Sequence, residues 1–265
     1  MVSWLLAVAL SAATANPWAS QQFPAPGHPD AIGTYTAGCL QGAVPLPETG
    51  TGYQLLRPSH RRFYGHPVLI AYLQQLARRS HTVGLPDLLI GDLAMPKGGP
   101  FTSGHKSHQS GLDADVWFRF APSVLSRAQR EAATPLDLVD GQRNRVNRQF
   151  SPQHLRLLQL AAEDARVERI FVNPAIKLAA CQALQGKPHG WLAKLRPWFG
   201  HSAHMHVRLR CPAGNDCQPQ APVPAGDGCG EELLSWFEPP KPASGTATVK
   251  APSPQPAQCR ALLTP

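Results

Sequence analysis

Alternation of apolar and polar side chains marks two stretches of the chain as strands. Over residues 112–120, Leu112, Ala114, Val116, Phe118 and Phe120 fall on one face, with Asp113, Asp115, Trp117 and Arg119 on the other. This predicts a half-buried strand carrying two carboxylates on its non-core side. Over residues 204–209 the same period puts His204, His206 and Arg208 on one face and Met205, Val207 and Leu209 on the other. Two apolar runs, at 88–90 between Pro86 and Gly91 and at 170–172, read as short core strands.

The helical period appears twice. Leu69, Tyr72, Leu73 and Leu76 predict a helix over 67–79. Ser151 followed by Pro152 is a capping hydroxyl with proline at the first helical position, and Leu155, Leu158 and Ala162 carry the stripe to about Arg166. Residues 191–199 read as a short helix broken at Pro197. Residues 16–66 are rich in Pro, Gly and Gln and read as a structured wrap, and 121–150 as polar and irregular, with a solvated basic run at 142–148. From Pro239 the composition turns to Pro, Ala and Ser, which favours an extended tail over 239–265, tied back through Cys259.

Composition adds a compartment. Residues 1–15 read as a secretory signal, with a short apolar run from Trp4 and a small-residue cleavage site, Ala13-Thr-Ala15, before Asn16. The run is too short to span a bilayer, and no later stretch is longer, so no membrane span is expected. Six cysteines in an exported chain point to disulfides; spacing alone assigns Cys211 with Cys217 and leaves the others open. The 265 residues, 43% of them hydrophobic, suffice for a core, read as one domain over 16–238. The net charge of +8 draws anionic partners. The positive charges are scattered and lack interleaved aromatics, which argues against nucleic acid. Salt should weaken such attraction, because exposed charges are screened within roughly 10 Å at 0.1 M ionic strength.

The candidate chemistry lies in two runs, Ser103-Gly-His-Lys-Ser-His-Gln-Ser-Gly-Leu-Asp-Ala-Asp-Val-Trp117 and His201-Ser-Ala-His-Met-His-Val-Arg208. Imidazole and carboxylate suit zinc, whose catalytic sites use three protein ligands and leave one position open. His108 and Asp115 are seven residues apart, joined by a Gln-Ser-Gly turn that folds His108 back over the strand start. If the two alternating strands are neighbours, Asp115 and His206 converge. His105 is a further ligand or a partner behind the ligands, and Asp113 orients a ligand or ends a turn. No H-E-x-x-H run supplies a glutamate base. His204, two residues from His206 on the same face, is the first candidate to take a proton from water, and His201 the second. The H-x-H spacing equally allows both His204 and His206 on one metal. His28, His60, His66, His81, His154 and His189 read as surface or core residues.

The two runs resemble those of the penicillin-insensitive murein endopeptidases and, more broadly, the H-x6-D … H-x-H group of lysostaphin-type endopeptidases, D-Ala-D-Ala dipeptidases and hedgehog-like domains. The closer likeness extends over Arg169-Ile-Phe-Val-Asn-Pro-Ala-Ile-Lys177, Leu195-Arg-Pro-Trp-Phe199, Gly226-Asp-Gly-Cys229 and Leu234-Ser-Trp-Phe-Glu-Pro-Pro240. It implies an α+β fold in which a small antiparallel sheet, flanked by helices and long loops and stapled by disulfides, carries the site. It implies zinc held by His108, Asp115 and His206, with His105 close to the metal and His204 beside the water. It also implies hydrolysis of the D-alanyl–meso-diaminopimelyl cross-link of peptidoglycan stem peptides in the periplasm, unaffected by β-lactams, and the pairs Cys39–Cys259, Cys181–Cys229 and Cys211–Cys217. Family members can be homodimers; ligands for a second metal at a subunit contact are not evident around the basic region at Arg143. Two alternatives stay open: a D,D-carboxypeptidase or D-Ala-D-Ala dipeptidase on the same scaffold, and a non-catalytic zinc-stabilised peptidoglycan-binding module.

Overall fold

A seven-stranded mixed sheet gathers the alternating stretches. In chain order its strands are β1 (Thr49–Gly50), β2 (Tyr53–Leu55), β3 (Asp87–Ile90), β4 (Asp113–Ala121), β5 (Val167–Val172), β6 (Leu195–Pro197) and β7 (His204–Leu209). Their order across the sheet is β6-β5-β7-β4-β3-β2-β1. The computed structural model describes residues 16–102, 104–185, 189–239 and 253–264. The leader expected at 1–15 and residues 240–252 and 265 of the expected tail lie outside them.

The α+β class holds, with one enlargement. β5, β7, β4 and β3 form the antiparallel centre, while β6 joins β5 and β2 joins β3 in parallel. The small antiparallel sheet expected from the sequence is thus the middle of a wider one. Short flanking strands with few residues of their own carry too little pattern to be read in advance.

One face of the sheet is the core. Ala114, Val116 and Phe118 of β4, Ile170 and Val172 of β5, and Met205, Val207 and Leu209 of β7 are buried there with Leu112. Against them pack Leu69, Tyr72, Leu73 and Leu76 of α1 (Pro67–Thr82) and Leu157, Leu158 and Ala161 of α2 (Pro152–Ala162). Burial of a Leu-sized side chain stabilises by roughly 1.5–3 kcal/mol. Both helices begin at proline; the His66 ring accepts from the Val68 N–H at 3.2 Å and caps the first. α2 ends at Ala162, short of Arg166, because the Asp164 carboxylate accepts from the Arg166 N–H at 2.9 Å and turns the chain.

Three expectations change. β4 is not half-buried, since Asp113 and Asp115 are 0% and 3% exposed under the loops that cross the second face. Residues 191–199 hold a 3-10 turn, Gly190–Lys194, and then β6 rather than one broken helix, because backbone pairing with β5 extends Leu195–Pro197. The wrap contains a regular hairpin, Asp30–Thr34 with Ala37–Gln41, and a further helix, α3 (Pro174–Ala183), starts at an Asn173 cap.

Three disulfides fasten this frame: Cys39–Cys259, Cys181–Cys229 and Cys211–Cys217. The first ties the hairpin to the last described segment, where the Lys97 ammonium also donates to the Leu262 carbonyl at 2.6 Å.

Candidate metal centre

β4 and β7 are hydrogen-bonded neighbours, and their register sets Asp115 directly opposite His206, with Arg208 opposite Asp113. Side chains opposite one another in such a pair have Cβ atoms about 4.5–5.5 Å apart. Two residues far apart in the sequence are therefore brought together by backbone pairing.

His108 reaches the same place from the loop before β4. Its φ is +69°, a left-handed conformation that a side chain adopts at a cost. Its N–H donates to Asp113 Oδ2 at 3.1 Å, which holds the turn. Gly111, at φ +73°, completes it: a Cβ there would lie 2.3 Å from Leu40 Cδ2. The Gln-Ser-Gly turn thus folds His108 back over the strand start.

Four ligand-type atoms, one each from His105, His108, Asp115 and His206, lie within 4.8 Å of one another. Asp115 is the hub. Its Oδ2 is 3.2 Å from His105 Nε2, and its Oδ1 is 3.5 Å from His108 Nε2 and 3.2 Å from His206 Nδ1. His108, Asp115 and His206 are buried, whereas the His105 side chain is 27% exposed and marks the open side. Both ring nitrogens of His108 and Asp115 Oδ1 are buried without a hydrogen-bond partner. Polar atoms left so in a native fold are costly unless something completes them. A cation held by imidazoles and a carboxylate does so, and the donor set fits zinc chemistry.

Asp113 faces the back of this cluster. Its Oδ1 is 2.9 Å from His206 Nε2 and accepts from Arg208 Nε at 2.7 Å. Burial would raise the Asp113 pKa, but Arg208 and His206 outweigh it and hold the carboxyl well below the usual range. His206 answers in kind: burial alone would lower it, yet Asp113 and Asp115 raise it to about 9 in the metal-free protein. Asp113 therefore directs the Nε2 proton of His206 backward and leaves Nδ1 facing the cluster.

His204 and His201 line the rim. His204 Nε2 is 3.7 Å from Asp115 Oδ1 and has no hydrogen-bond partner. Its ring centroid is 5.1 Å from that of His201 and 5.8 Å from that of His105. Burial lowers the pKa of both, that of His201 to about 4, so each ring is neutral near pH 7. His201 Nδ1 sits 3.1 Å from the Phe199 carbonyl oxygen.

Depressions open on two sides of the cluster. One, about 470 Å³, is lined by His105, His201, His206, Phe171, Trp198 and Arg169. The other, about 270 Å³, is lined by His105, His204, Asp115, Trp117, Arg57 and Asp92. His105 belongs to both. Sequence reasoning gave no role to Arg208, Phe171 or Arg169. Arg208 shares the face of His206 and was within reach of that argument; the other two arrive only because β5 pairs with β7.

Known proteins resemble this chain along nearly its whole length. Residues 31–264 match the family model described as penicillin-insensitive murein endopeptidase. A protein of that name from Haemophilus influenzae is 49% identical over 251 residues, covering 93% of this chain and 87% of the relative. One from Klebsiella pneumoniae (strain 342) is 49% identical over 264 residues, covering 98% and 96%. One from Salmonella arizonae is 46% identical over 266 residues, covering 99% and 96%. With the family model and its relatives matched along nearly the whole chain, and with the paired strands that carry the cluster inside the matched span, the chain belongs to the penicillin-insensitive murein endopeptidase family.

Proposed function

We propose that this chain is a zinc-dependent murein endopeptidase that hydrolyses the D-alanyl–meso-diaminopimelyl cross-link of peptidoglycan in the periplasm, reached through the leader at 1–15. The family is one of metallopeptidases acting on murein. The observation that carries the reading for this chain is the pair of depressions that meet at His105. A cross-link sends peptide away from the scissile bond in two directions. A site open on two sides accommodates that, whereas a carboxypeptidase or dipeptidase needs one side closed.

The residues that would hold the metal are His108, Asp115 and His206, with His105 as the exposed fourth. When bound, zinc supplies Lewis acidity, which makes water acidic near neutral pH and polarises a carbonyl. The protein's own part follows from the geometry. Asp113 fixes the His206 tautomer, and Arg208 keeps Asp113 ionised. His204, neutral and with a free Nε2 at the rim, accepts a proton from water and returns it to the departing amine. His201 is the second candidate for that role. No serine ester forms in such a scheme, so a β-lactam has nothing to acylate.

Among the described residues no helix is long and apolar enough to cross a membrane. Three disulfides suit an oxidising compartment such as the periplasm. The test is digestion of a purified cross-linked muropeptide dimer. Conversion to monomers, stopped by chelator and restored by zinc, is expected; a dimer left intact by metal-replete protein overturns the reading. Uncross-linked pentapeptide should release no D-alanine, and its release would favour the carboxypeptidase alternative.

A further inference from the structure

The depression on the Phe171 and Trp198 side is cationic, and one of its arginines lacks a well-matched anion. Arg208 is committed: Nε donates to Asp113 Oδ1 at 2.7 Å and Nη1 to Gln220 Oε1 at 3.2 Å. Arg196 is paired with Glu232. Arg169, which stands opposite Arg208 in the sheet, is different. Its Nη2 donates to the Ala221 carbonyl at 2.7 Å, which fixes the guanidinium. Its Nε is buried without a hydrogen-bond partner. The carboxylate beside it, on Glu168, is 4.0 Å away and is already accepting from the Tyr35 hydroxyl at 3.2 Å.

A guanidinium is a planar fork that pairs with a carboxylate through two parallel hydrogen bonds. Arg169 is held in place with part of that fork unused, and its side chain is 17% exposed. Phe171 and Trp198, ring centroids 5.9 Å apart, wall the same depression. His201 and His206 line it too, so an anion held at Arg169 shares the depression that borders the candidate ligands. In the cross-link, the carbon that bears the scissile nitrogen also bears a free carboxylate.

We propose that Arg169 anchors this substrate carboxylate and thereby determines specificity for a cross-link whose amine-side residue is an unmodified acid. The inference rests on the endopeptidase reading for the identity of the bond. It needs only the geometry around Arg169 for the identity of the charge.

The test compares a synthetic cross-linked peptide in two forms, with that carboxylate free or converted to the amide. Wild-type enzyme should favour the acid by roughly 10- to 100-fold in kcat/KM, the range of a lost charge-assisted hydrogen bond. In Arg169→Gln the preference should fall toward one, and Arg169→Lys should recover part of it. A wild type that cleaves acid and amide equally overturns the anchor and leaves the endopeptidase reading standing. A variant that loses the same factor on both forms overturns it as well, because Arg169 would then be structural. Calorimetric binding of the monomeric product, acid against amide, needs no turnover. There an Arg169→Gln protein with undiminished preference for the acid is decisive against the proposal, even if no cross-link is cleaved.

Discussion

The Asp113 carboxylate and the His206 imidazole are 2.9 Å apart, Oδ1 to Nε2, and neither is exposed beyond 3%. This contact decides which nitrogen of His206 faces the cluster, because a proton shared with Asp113 leaves Nδ1 as the free electron pair. Asp113→Asn should keep the shape, lose the charge, and lower zinc affinity about 10- to 100-fold, as read by competition with a chromophoric chelator. Asp113→Ala should also destabilise the fold by about 3–5 kcal/mol, because it leaves the buried Arg208 uncompensated. Unchanged zinc affinity in the Asn variant would show that Asp113 does not orient His206.

His204 and His201 differ in their reach toward the cluster. Only His204 has a ring nitrogen at 3.7 Å from Asp115 Oδ1. His204→Ala should therefore lower kcat by about 10²–10⁴-fold while the protein still binds one zinc. His201→Ala should cost less. Steady-state kinetics with metal content measured on the same samples checks this, and the reverse order would exchange the two roles. Retained ligand binding with no turnover in the wild type would instead favour the binding-module alternative.

Burial sets a pH dependence in the metal-free protein. The His201 pKa is lowered to about 4 on folding, against about 6.5 in the unfolded chain. Below about 6.5 the unfolded chain takes up the proton first, so this contribution to stability is complete above that pH and is lost as pH falls through 4. His206 runs the other way. Burial lowers it and the two carboxylates raise it to about 9, so its contribution is complete below about 6.5 and is lost as pH rises through 9. Urea midpoints with chelator present should show the wild type losing more stability than His201→Gln between about pH 7 and pH 4. Parallel curves would rule out a His201 kept neutral by the fold.

Cys39–Cys259 joins residues 220 positions apart. Closing so long a loop restricts the unfolded chain, and Cys259→Ser should cost about 2–5 kcal/mol by chemical denaturation. The four candidate ligands sit on other segments, so the kcat of the variant should stay within about tenfold of the wild type. A larger loss of turnover would mean that the hairpin bearing Cys39 also positions the His108 loop, where Gly38 N–H donates to Gln109 Oε1 at 3.3 Å.

Periodicity and local turn chemistry are properties of neighbouring residues, and these the chain itself determined. Residues 112–120 and 204–209 announced two strands with carboxylates on one and imidazoles on the other. Ser151-Pro152 announced a helix start, and the glycine at 111 announced the turn that returns His108. Pairing was decided elsewhere. Whether β4 and β7 are neighbours, and which of their residues stand opposite, depends on hydrogen bonds between segments some ninety positions apart, for which the local pattern carries no signal. The β5 strand shows the limit most plainly. A register shift between Val167 and Arg169 lets Val167 and Ile170 share the core although their spacing is odd, and so aims Arg169 and Phe171 into the cleft. No count of alternating residues shows that shift, because it belongs to the pairing of β5 with β7, a strand distant in the sequence.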